Sequence, residues 1–210
     1  MAHHIFFQGS LGSGKTALMS IMAHNIRART IQQNGDLALF SNYELKDSFA
    51  MDHYTDWYEV AKRQGSICCW DEAHMAFDNR RWSRHGSIIA TEVMMYTRKM
   101  HSIQMYASPS INNVDSRIRK IIEVLIHCRK LGKKGFQYTF YDYQTGEFLR
   151  RQFMPMWRMK RFFSLNLYDS YQMVKGFPLP QNEDQSDEFF DELERIHNQA
   201  RRIRERMTIN

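Results

Sequence analysis

The chain has 210 residues, 43% hydrophobic and 25% charged, with a formal net charge of +6. This length suits one substantial α/β domain with a small appendage, and the composition is ordinary for a soluble globular protein. The odd number of cysteines (Cys68, Cys69 and Cys128), all within apolar runs, excludes a disulfide framework or a zinc-ligand spacing and favours a reducing cytoplasm.

Strand and helix patterns alternate along the first 128 residues. Apolar runs predict five strands, at residues 3–8, 37–41, 66–70, 103–108 and 121–128. Helical patterns occupy residues 15–33, 54–63 and 87–100. Because strands that alternate with helices pair in parallel, we predict an α/β fold with a doubly wound, mostly parallel sheet.

The pattern changes after residue 130. Residues 136–143 and 147–153 are rich in β-forming residues and flank a Gln-Thr-Gly turn, which predicts a β-hairpin. Residues 154–182 contain three prolines and are expected to be irregular. We therefore divide the chain into a core with its hairpin at 1–153, an irregular extension at 154–182 and a helix at 183–210.

The final helix has an apolar stripe at alternating spacings of four and three residues. Ser186 is predicted to be its N-cap, because serine accepts a hydrogen bond from the first turn. The stripe consists of Phe189, Leu193, Ile196, Ala200, Ile203 and Met207. Such a stripe packs either on its own domain or on a neighbouring subunit, and the sequence leaves both open.

The strongest motif is Gly-Ser-Leu-Gly-Ser-Gly-Lys-Thr at residues 9–16, which matches the Walker A pattern between a strand and a helix. Its glycines allow backbone amides to surround phosphate oxygens, and the helix N-terminus favours negative charge. Lys15 is predicted to reach the β- and γ-phosphates of ATP, and Thr16 to bind Mg²⁺. The predicted nucleotide-binding residues are Gly9, Ser10, Leu11, Gly12, Ser13, Gly14, Lys15, Thr16 and Ala17.

Residues 67–72 read as a Walker B strand, four mostly apolar residues followed by two acids. The carboxyl ends of parallel strands meet at one edge, so these acids should emerge beside the phosphate loop. Asp71 is predicted to hold Mg²⁺, and Glu72 to activate the attacking water as general base. A kinase of small molecules has less need of a water-activating glutamate, so the pair favours hydrolysis.

Two further roles are expected near the fourth strand. Ser108 and Ser110 are candidates for sensing the γ-phosphate. Arg98 and Arg119 are our candidates for an arginine finger, which usually acts on a neighbouring subunit. Other arginines considered for this role are Arg80, Arg81, Arg84 and Arg117.

A basic, aromatic region follows the fifth strand. Its cations are Lys130, Lys133, Lys134, Arg150, Arg151, Arg158, Lys160 and Arg161. Such a surface can follow a phosphate backbone without reading sequence. A hairpin whose aromatic residues pack on the core is the alternative interpretation.

This layout resembles the zonula-occludens-toxin-like branch of the HerA/FtsK group of P-loop ATPases. The resemblance covers residues 3–150 and includes both Walker motifs, the Asp-Asn-Arg-Arg-Trp run at 78–82, Arg98-Lys99 and the segment 111–128. It implies a P-loop NTPase of the additional-strand, catalytic-glutamate type, and ring-shaped homo-oligomers that pump DNA. The group's usual glutamine at the end of the fourth strand is replaced here by Ser108-Pro109.

We therefore expect an ATPase that uses ATP and Mg²⁺ to translocate double-stranded DNA without sequence specificity, most simply a viral genome-packaging ATPase. The alternative is an ATPase for filamentous-phage assembly or export acting with a membrane-protein partner. A small-molecule kinase and a nucleotide-gated interaction protein also remain open. No apolar run reaches the roughly 18–20 residues of a membrane-spanning helix. We expect a cytoplasmic protein, in the host cytoplasm if viral, that associates with a capsid vertex or a membrane.

Overall fold

The structure is a computed structural model that describes residues 3–63, 65–76, 84–169, 172, 174–180 and 182–209. The predicted run at 78–82, with Arg80 and Arg81, lies outside these ranges. The side chain of Arg84 is likewise not described.

Eight strands form within the described residues. They are β1 His4–Gln8, β2 Ala38–Ser41, β3 Phe49–Ala50, β4 Ser66–Trp70, β5 Ser102–Ser108, β6 Val124–Lys130, β7 Gly135–Asp142 and β8 Phe148–Pro155. The helices are α1 Lys15–Gln32, α2 Asp56–Arg63, α3 Ala73–Ala76, α4 Arg84–Lys99, α5 Ser116–Ile121, α6 Met156–Phe163 and α7 Glu183–Ile209. A 3₁₀ turn covers Ile111–Asn113.

The strands join in one sheet with the order β3-β2-β4-β5-β1-β6-β7-β8. The first six in that order pair in parallel, and β7 and β8 extend the sheet antiparallel as a hairpin. The additional strand β5 separates β1, which precedes the Walker A loop, from the Walker B strand β4. This arrangement confirms the predicted doubly wound α/β fold with an appended hairpin.

Two apolar cores lie on opposite faces of this sheet. On one face α1 and α6 pack against alternate residues of the strands, including Phe7, Cys69 and Ile126. On the other face α2, α4, α5 and α7 cover residues such as Phe6 and Trp70. Every residue of β4 is buried, because helices cover both faces of a central parallel strand.

One predicted boundary is wrong. The strand expected at 121–128 begins only at Val124, because the preceding residues form the short helix α5. The Asp115 carboxylate caps this helix by accepting a hydrogen bond from the Arg117 amide over 2.7 Å. Ile118 is buried and belongs to α5. The apolar residues of this segment are therefore divided between a helix and the strand that follows it.

The expectation of an irregular segment at 154–182 is also wrong in part. β8 continues to Pro155, and α6 begins directly after it. Pro155 occupies the N-cap of α6 with φ of −65°, and Met159 is fully buried beneath the helix. Proline just before a helix removes only an amide that would lack an intrahelical partner, so it favours a start here.

The C-terminal helix begins at Glu183, so Ser186 lies inside it and is not its N-cap. The Asn182 side chain accepts a hydrogen bond from the Gln185 amide over 2.9 Å, while the Ser186 hydroxyl donates to the Asn182 carbonyl. The first half of the apolar stripe, exemplified by Phe189 and Leu193, is buried against α2 and its core. The stripe then leaves the domain, and Ile203 is 48% exposed.

Candidate nucleotide-binding site

The loop after β1 turns back on itself before α1 begins. The Ser13 amide donates to the Ser10 carbonyl over 3.1 Å, and Gly14 is the N-cap residue of α1. Gly12 and Gly14 have φ of 71° and 85°, in the left-handed region that residues with a side chain rarely adopt. The sequence can therefore make the tight loop that an anion nest requires.

Strands β6 and β7 pack against this loop. A Cβ atom on Gly9 would lie 2.3 Å from the Cys128 carbonyl oxygen, closer than any van der Waals contact allows. A Cβ atom on Gly14 would lie 2.9 Å from both the Phe136 ring and the Tyr138 hydroxyl. The close approach of β6 and β7 therefore leaves no room for a side chain at either position. Gly14 is also required by its left-handed backbone conformation.

Lys15 is buried inside the loop, and its ammonium group donates to the Ser10 carbonyl over 3.2 Å. Among the described residues no carboxylate forms an ion pair with it. The Ser13 hydroxyl is also buried without a hydrogen-bond partner in the described part of the chain. A buried cation and a buried free hydroxyl in one loop fit the oxygens of a bound phosphate, because buried charges and polar groups need such partners.

Thr16 and Asp71, the two residues predicted to bind Mg²⁺, are in direct contact. The Thr16 hydroxyl donates to Asp71 Oδ2 over 2.9 Å. Burial raises the pKa of the Asp71 carboxyl, and the hydrogen bond from Thr16 opposes this rise. A hydroxyl and a carboxylate oxygen fit Mg²⁺, which takes one or two protein oxygens and completes its shell with phosphate and water.

Glu72 follows in a left-handed backbone conformation, with φ of 47°. A residue with a side chain rarely adopts this region, and such strain concentrates at functional sites. Its Oε2 lies 3.2 Å from Nδ1 of His74, which in turn lies 3.3 Å from the Ser108 hydroxyl. The carboxylate is thus linked to the end of β5, and it stays partly exposed to solvent.

The two sensor candidates occupy different positions. Ser108 ends β5 in register with Gln8 of β1, so it lies at the same sheet edge as the loop. The Ser110 hydroxyl instead accepts a hydrogen bond from the Asn112 amide and caps the 3₁₀ turn. The structure therefore brings Ser108 to the site and gives Ser110 a local structural contact.

The two arginine-finger candidates form no hydrogen bond to the phosphate loop of their own chain within the described residues. Arg98 lines a cavity together with His4, at the sheet edge opposite to the loop. Arg119 donates to the Asn112 side chain over 3.3 Å. A finger role for either residue stays a prediction and requires a neighbouring subunit.

Asn42 is a site residue that the sequence reasoning missed. It directly follows β2 and is buried, and its side chain accepts from the Asp71 amide (2.8 Å) and donates to the Asp71 carbonyl (3.1 Å). It also donates to the Lys175 carbonyl over 2.8 Å. A polar residue just after a predicted parallel strand was the available signal, because these strand ends meet at the ligand edge.

A family model described as Zonular occludens toxin (Zot) matches residues 27–173. Among solved structures, the chain is similar to the N-terminal domain of zonular occludens toxin from Neisseria meningitidis, with a TM-score of 0.57 and 13% identity. That comparison covers 80% of this chain and 100% of the other. A search of curated proteins found no match.

The chain is also similar to the DNA-packaging ATPase from Sulfolobus Turreted Icosahedral Virus, with a TM-score of 0.50 and 12% identity over 73% of this chain and 97% of the other. The genome packaging NTPase from Sulfolobus turreted icosahedral virus 2, in complex with AMPPCP, gives 0.51 and 9% over 73% and 98%. At these identities the similarity shows a shared fold.

Within the described residues, no helix has the length and apolar character to cross a membrane.

Proposed function

From the premise that the chain belongs to the zonular occludens toxin family, we propose that it is an ATP-driven motor that moves DNA, in the role of a viral genome-packaging ATPase. It is a P-loop NTP hydrolase. The observation that carries the proposal is the convergence of Lys15, Thr16, Asp71 and Glu72 at one edge of the sheet.

The proposed chemistry assigns one task to each of these side chains. Lys15 neutralises charge on the β- and γ-phosphates of ATP, and the loop amides hold their oxygens. Thr16 and Asp71 hold Mg²⁺, which supplies further positive charge at the phosphates when bound. Glu72 orients the attacking water and accepts its proton, because its carboxylate is solvent-accessible beside the Mg²⁺ ligands.

His74 is a proposed positioning residue for Glu72, and its variants separate this role from simple packing. Removing the ring in His74→Ala should lower kcat by roughly 10- to 100-fold, the worth of one hydrogen bond to a charged group. KM for ATP should change little, because the contacts of His74 among the described residues are to Glu72 and to the sensor candidate Ser108, and not to the phosphate loop. The measurement is steady-state ATPase kinetics over a range of ATP concentrations.

The contact through Nδ1 provides a matched control. The amide of His74→Asn falls close to the position of Nδ1 and should restore most of kcat, whereas the amide of His74→Gln reaches the position of Nε2 and should not. Ser108→Ala should give a smaller loss than His74→Ala. Equal kcat in the Ala, Asn and Gln variants would contradict the positioning role.

DNA is the proposed cargo because the region that begins at the end of β6 is strongly basic. The stretch 148–168 contains five arginines or lysines and no acid, and Lys130, Lys133 and Lys134 extend the charge around the β6–β7 turn. This turn follows the end of β6 that lies beside the phosphate loop. DNA bound at the turn would therefore lie near the site of ATP hydrolysis. Contacts between such cations and phosphates give affinity without sequence preference.

DNA should stimulate ATP hydrolysis, and the stimulation should fade with salt. Each lysine or arginine on a phosphate displaces a condensed counterion, so between about 50 and 200 mM salt a contact set of six or more should lose roughly 10³-fold or more in affinity. The measurement is the steady-state ATPase rate with and without double- or single-stranded DNA at both salt concentrations. Hydrolysis that ignores DNA at low salt would contradict the proposed cargo.

The family match also favours a second candidate, an ATPase for filamentous-phage assembly or export that acts with a membrane-protein partner. This candidate predicts turnover that depends on that partner and is indifferent to DNA. A nucleotide-binding module without turnover would instead retain ATP and release no phosphate. The same ATPase assay therefore separates the three outcomes.

The motor is proposed to work as a ring of identical subunits in the cytoplasm, near a capsid vertex or a membrane. Arg98 lies at the edge of the sheet opposite to its own phosphate loop, so it could reach a γ-phosphate only on a neighbouring copy. The same requirement is proposed for Arg119. We also retain the division into a core at 1–153, an extension at 154–182 and a helix at 183–210.

A further inference from the structure

Among the described residues, one face of the antiparallel part of the sheet is largely exposed, although Thr139 on this face is buried and Leu125 packs against the core shared by α2, α4, α5 and α7. Residues directly opposite each other in a sheet point to the same face, so the strand register defines three rows across β6, β7 and β8. The rows are Leu125–Tyr141–Phe148, His127–Thr139–Arg151 and Arg129–Gln137–Phe153. We name these nine residues the open sheet face.

The other face of the same strands is covered. Ile126, Cys128, Tyr138, Phe140 and Met154 are buried and pack in the core that includes α1. On the open sheet face the solvent reaches His127, Arg129 and Arg151, and the rings of Phe148 and Phe153 are 52% and 51% exposed. These two phenylalanines are therefore accessible to a partner.

The open sheet face combines rings with positive charge. His127 and Tyr141 have ring centroids 5.2 Å apart, and Tyr141 and Phe148 have centroids 6.2 Å apart. Arg129 and Arg151 lie in the adjacent rows, and no acid occurs in 124–141 or 148–168. Aromatic rings that can stack on bases, with arginines beside them for phosphates, are the features of a sheet that binds single strands.

We propose that the open sheet face binds single-stranded nucleic acid, and specifically DNA, an identification that rests on the proposed function. A duplex presents phosphates but keeps its bases stacked inside, so it can use Arg129 and Arg151 and leaves the rings unused. A single strand can use both. Neighbouring rows are two residues apart, about 7 Å, so the face accommodates roughly two or three bases.

The position of this face relates it to the nucleotide site. Cys128 lies between His127 and Arg129 on β6. Its carbonyl oxygen is next to Gly9 of the phosphate loop, where it would clash with a Cβ atom. β6 pairs in parallel with β1, so the Arg129 row is at the end nearest the phosphate loop. DNA on the open sheet face would therefore contact the strand that braces the loop.

The test compares binding of labelled oligothymidylate and of a duplex of equal length by fluorescence anisotropy, without ATP. The oligothymidylate should be longer than the roughly 4–16 nucleotides that a single nucleic-acid-binding domain covers. The wild-type chain should prefer the single strand. Phe153→Ala should weaken single-strand binding roughly 5- to 100-fold, the range for loss of one stacked base, and should leave duplex binding unchanged.

Arg150 and Arg151 provide a matched pair, since they are adjacent and carry the same charge. Arg151 is on the open sheet face, while the Arg150 guanidinium lies 4.2 Å from the Phe140 ring on the covered face. Arg151→Ala should reduce single-strand affinity and lower the salt slope by about 0.7. Arg150→Ala should have a much smaller effect, and thermal melting should show that all variants fold.

Several outcomes would overturn the inference. If Phe153→Ala lost affinity for single-stranded and duplex DNA equally, the face would bind DNA through its phosphates and not through stacked bases. Binding to anionic phospholipid vesicles that is lost in Phe153→Ala, without any DNA binding, would assign the face to a membrane. A change of oligomeric mass in Phe153→Ala, with DNA binding unchanged, would assign it to a second copy of the chain.

The inference and the proposed function can fail separately. Single-strand binding that depends on Phe153, together with an ATPase rate that DNA does not change, would support the open sheet face and contradict the motor. Duplex-stimulated ATPase activity without a preference for single strands would support the motor and contradict this inference.

Discussion

Replacing Glu72 by Gln should leave ATP binding intact while turnover falls by about 10²–10⁴-fold, the usual contribution of a positioned general base. The amide keeps the size of the side chain and its place beside His74, but it cannot accept the proton of the attacking water. Phosphate release measured at saturating ATP gives the rate. Binding of a fluorescent ATP analogue, measured separately, gives the affinity.

Glu188→Gln is a suitable control for this experiment. It makes the same chemical change at an exposed carboxylate on α7, which packs on α2 rather than beside the phosphate loop. Turnover should be unaffected there. A Glu72→Gln variant that loses ATP affinity as strongly as turnover would mean that Glu72 binds the nucleotide complex and is not the base.

Lys15→Ala should abolish measurable hydrolysis, with a loss of at least about 10²-fold, because one preorganised charge that acts on the reacting phosphoryl group is removed. ATP affinity should fall as well, since the ammonium group contacts the bound phosphates in the ground state. Folding should be retained. Within the described ranges the buried ammonium donates only to the Ser10 carbonyl, so its removal leaves no opposite charge uncompensated.

Lys62→Ala is the matched control, because Lys62 is exposed and paired with Glu59 on α2, away from the loop. It should hydrolyse ATP at the wild-type rate. Calorimetric titration with ATP and Mg²⁺ separates the binding defect of Lys15→Ala from its catalytic defect. Undiminished hydrolysis by Lys15→Ala would refute the role assigned to the phosphate loop.

Much of the central sheet could be predicted from sequence, because its signals are local. The strand before the loop and the Walker B strand at 66–70 are short apolar runs that end in functional residues, and both have the expected positions. The strand predicted at 121–128 starts three residues too early, because the apolar residues that end the short capped helix α5 run into those of β6. Periodicity alone cannot separate them when the helix has only six residues.

The residues of the candidate site likewise include some that could be predicted from sequence and some that could not. The Walker residues are identified by fixed spacing, whereas Asn42 and His74 act through contacts between segments that the sequence does not relate. Nothing local indicates that Asn42 bonds the backbone of Asp71, 29 residues away. The open sheet face could not be predicted from sequence either. Which of Arg150 and Arg151 lies on this face depends on the strand register and on the irregularity at Phe140/Tyr141.

The position of β8 at the end of the sheet has a consequence for solubility. An edge strand offers unpaired amides and carbonyls to any other extended chain, and exposed apolar residues such as Leu149 and Phe153 would favour sheet extension between molecules. Three features oppose this: the adjacent charges of Arg150 and Arg151, the register irregularity, and Pro155, which cannot donate a ladder hydrogen bond. Arg151, which is proposed to bind a polyanion, therefore also acts with Arg150 as a gatekeeper against edge-to-edge aggregation.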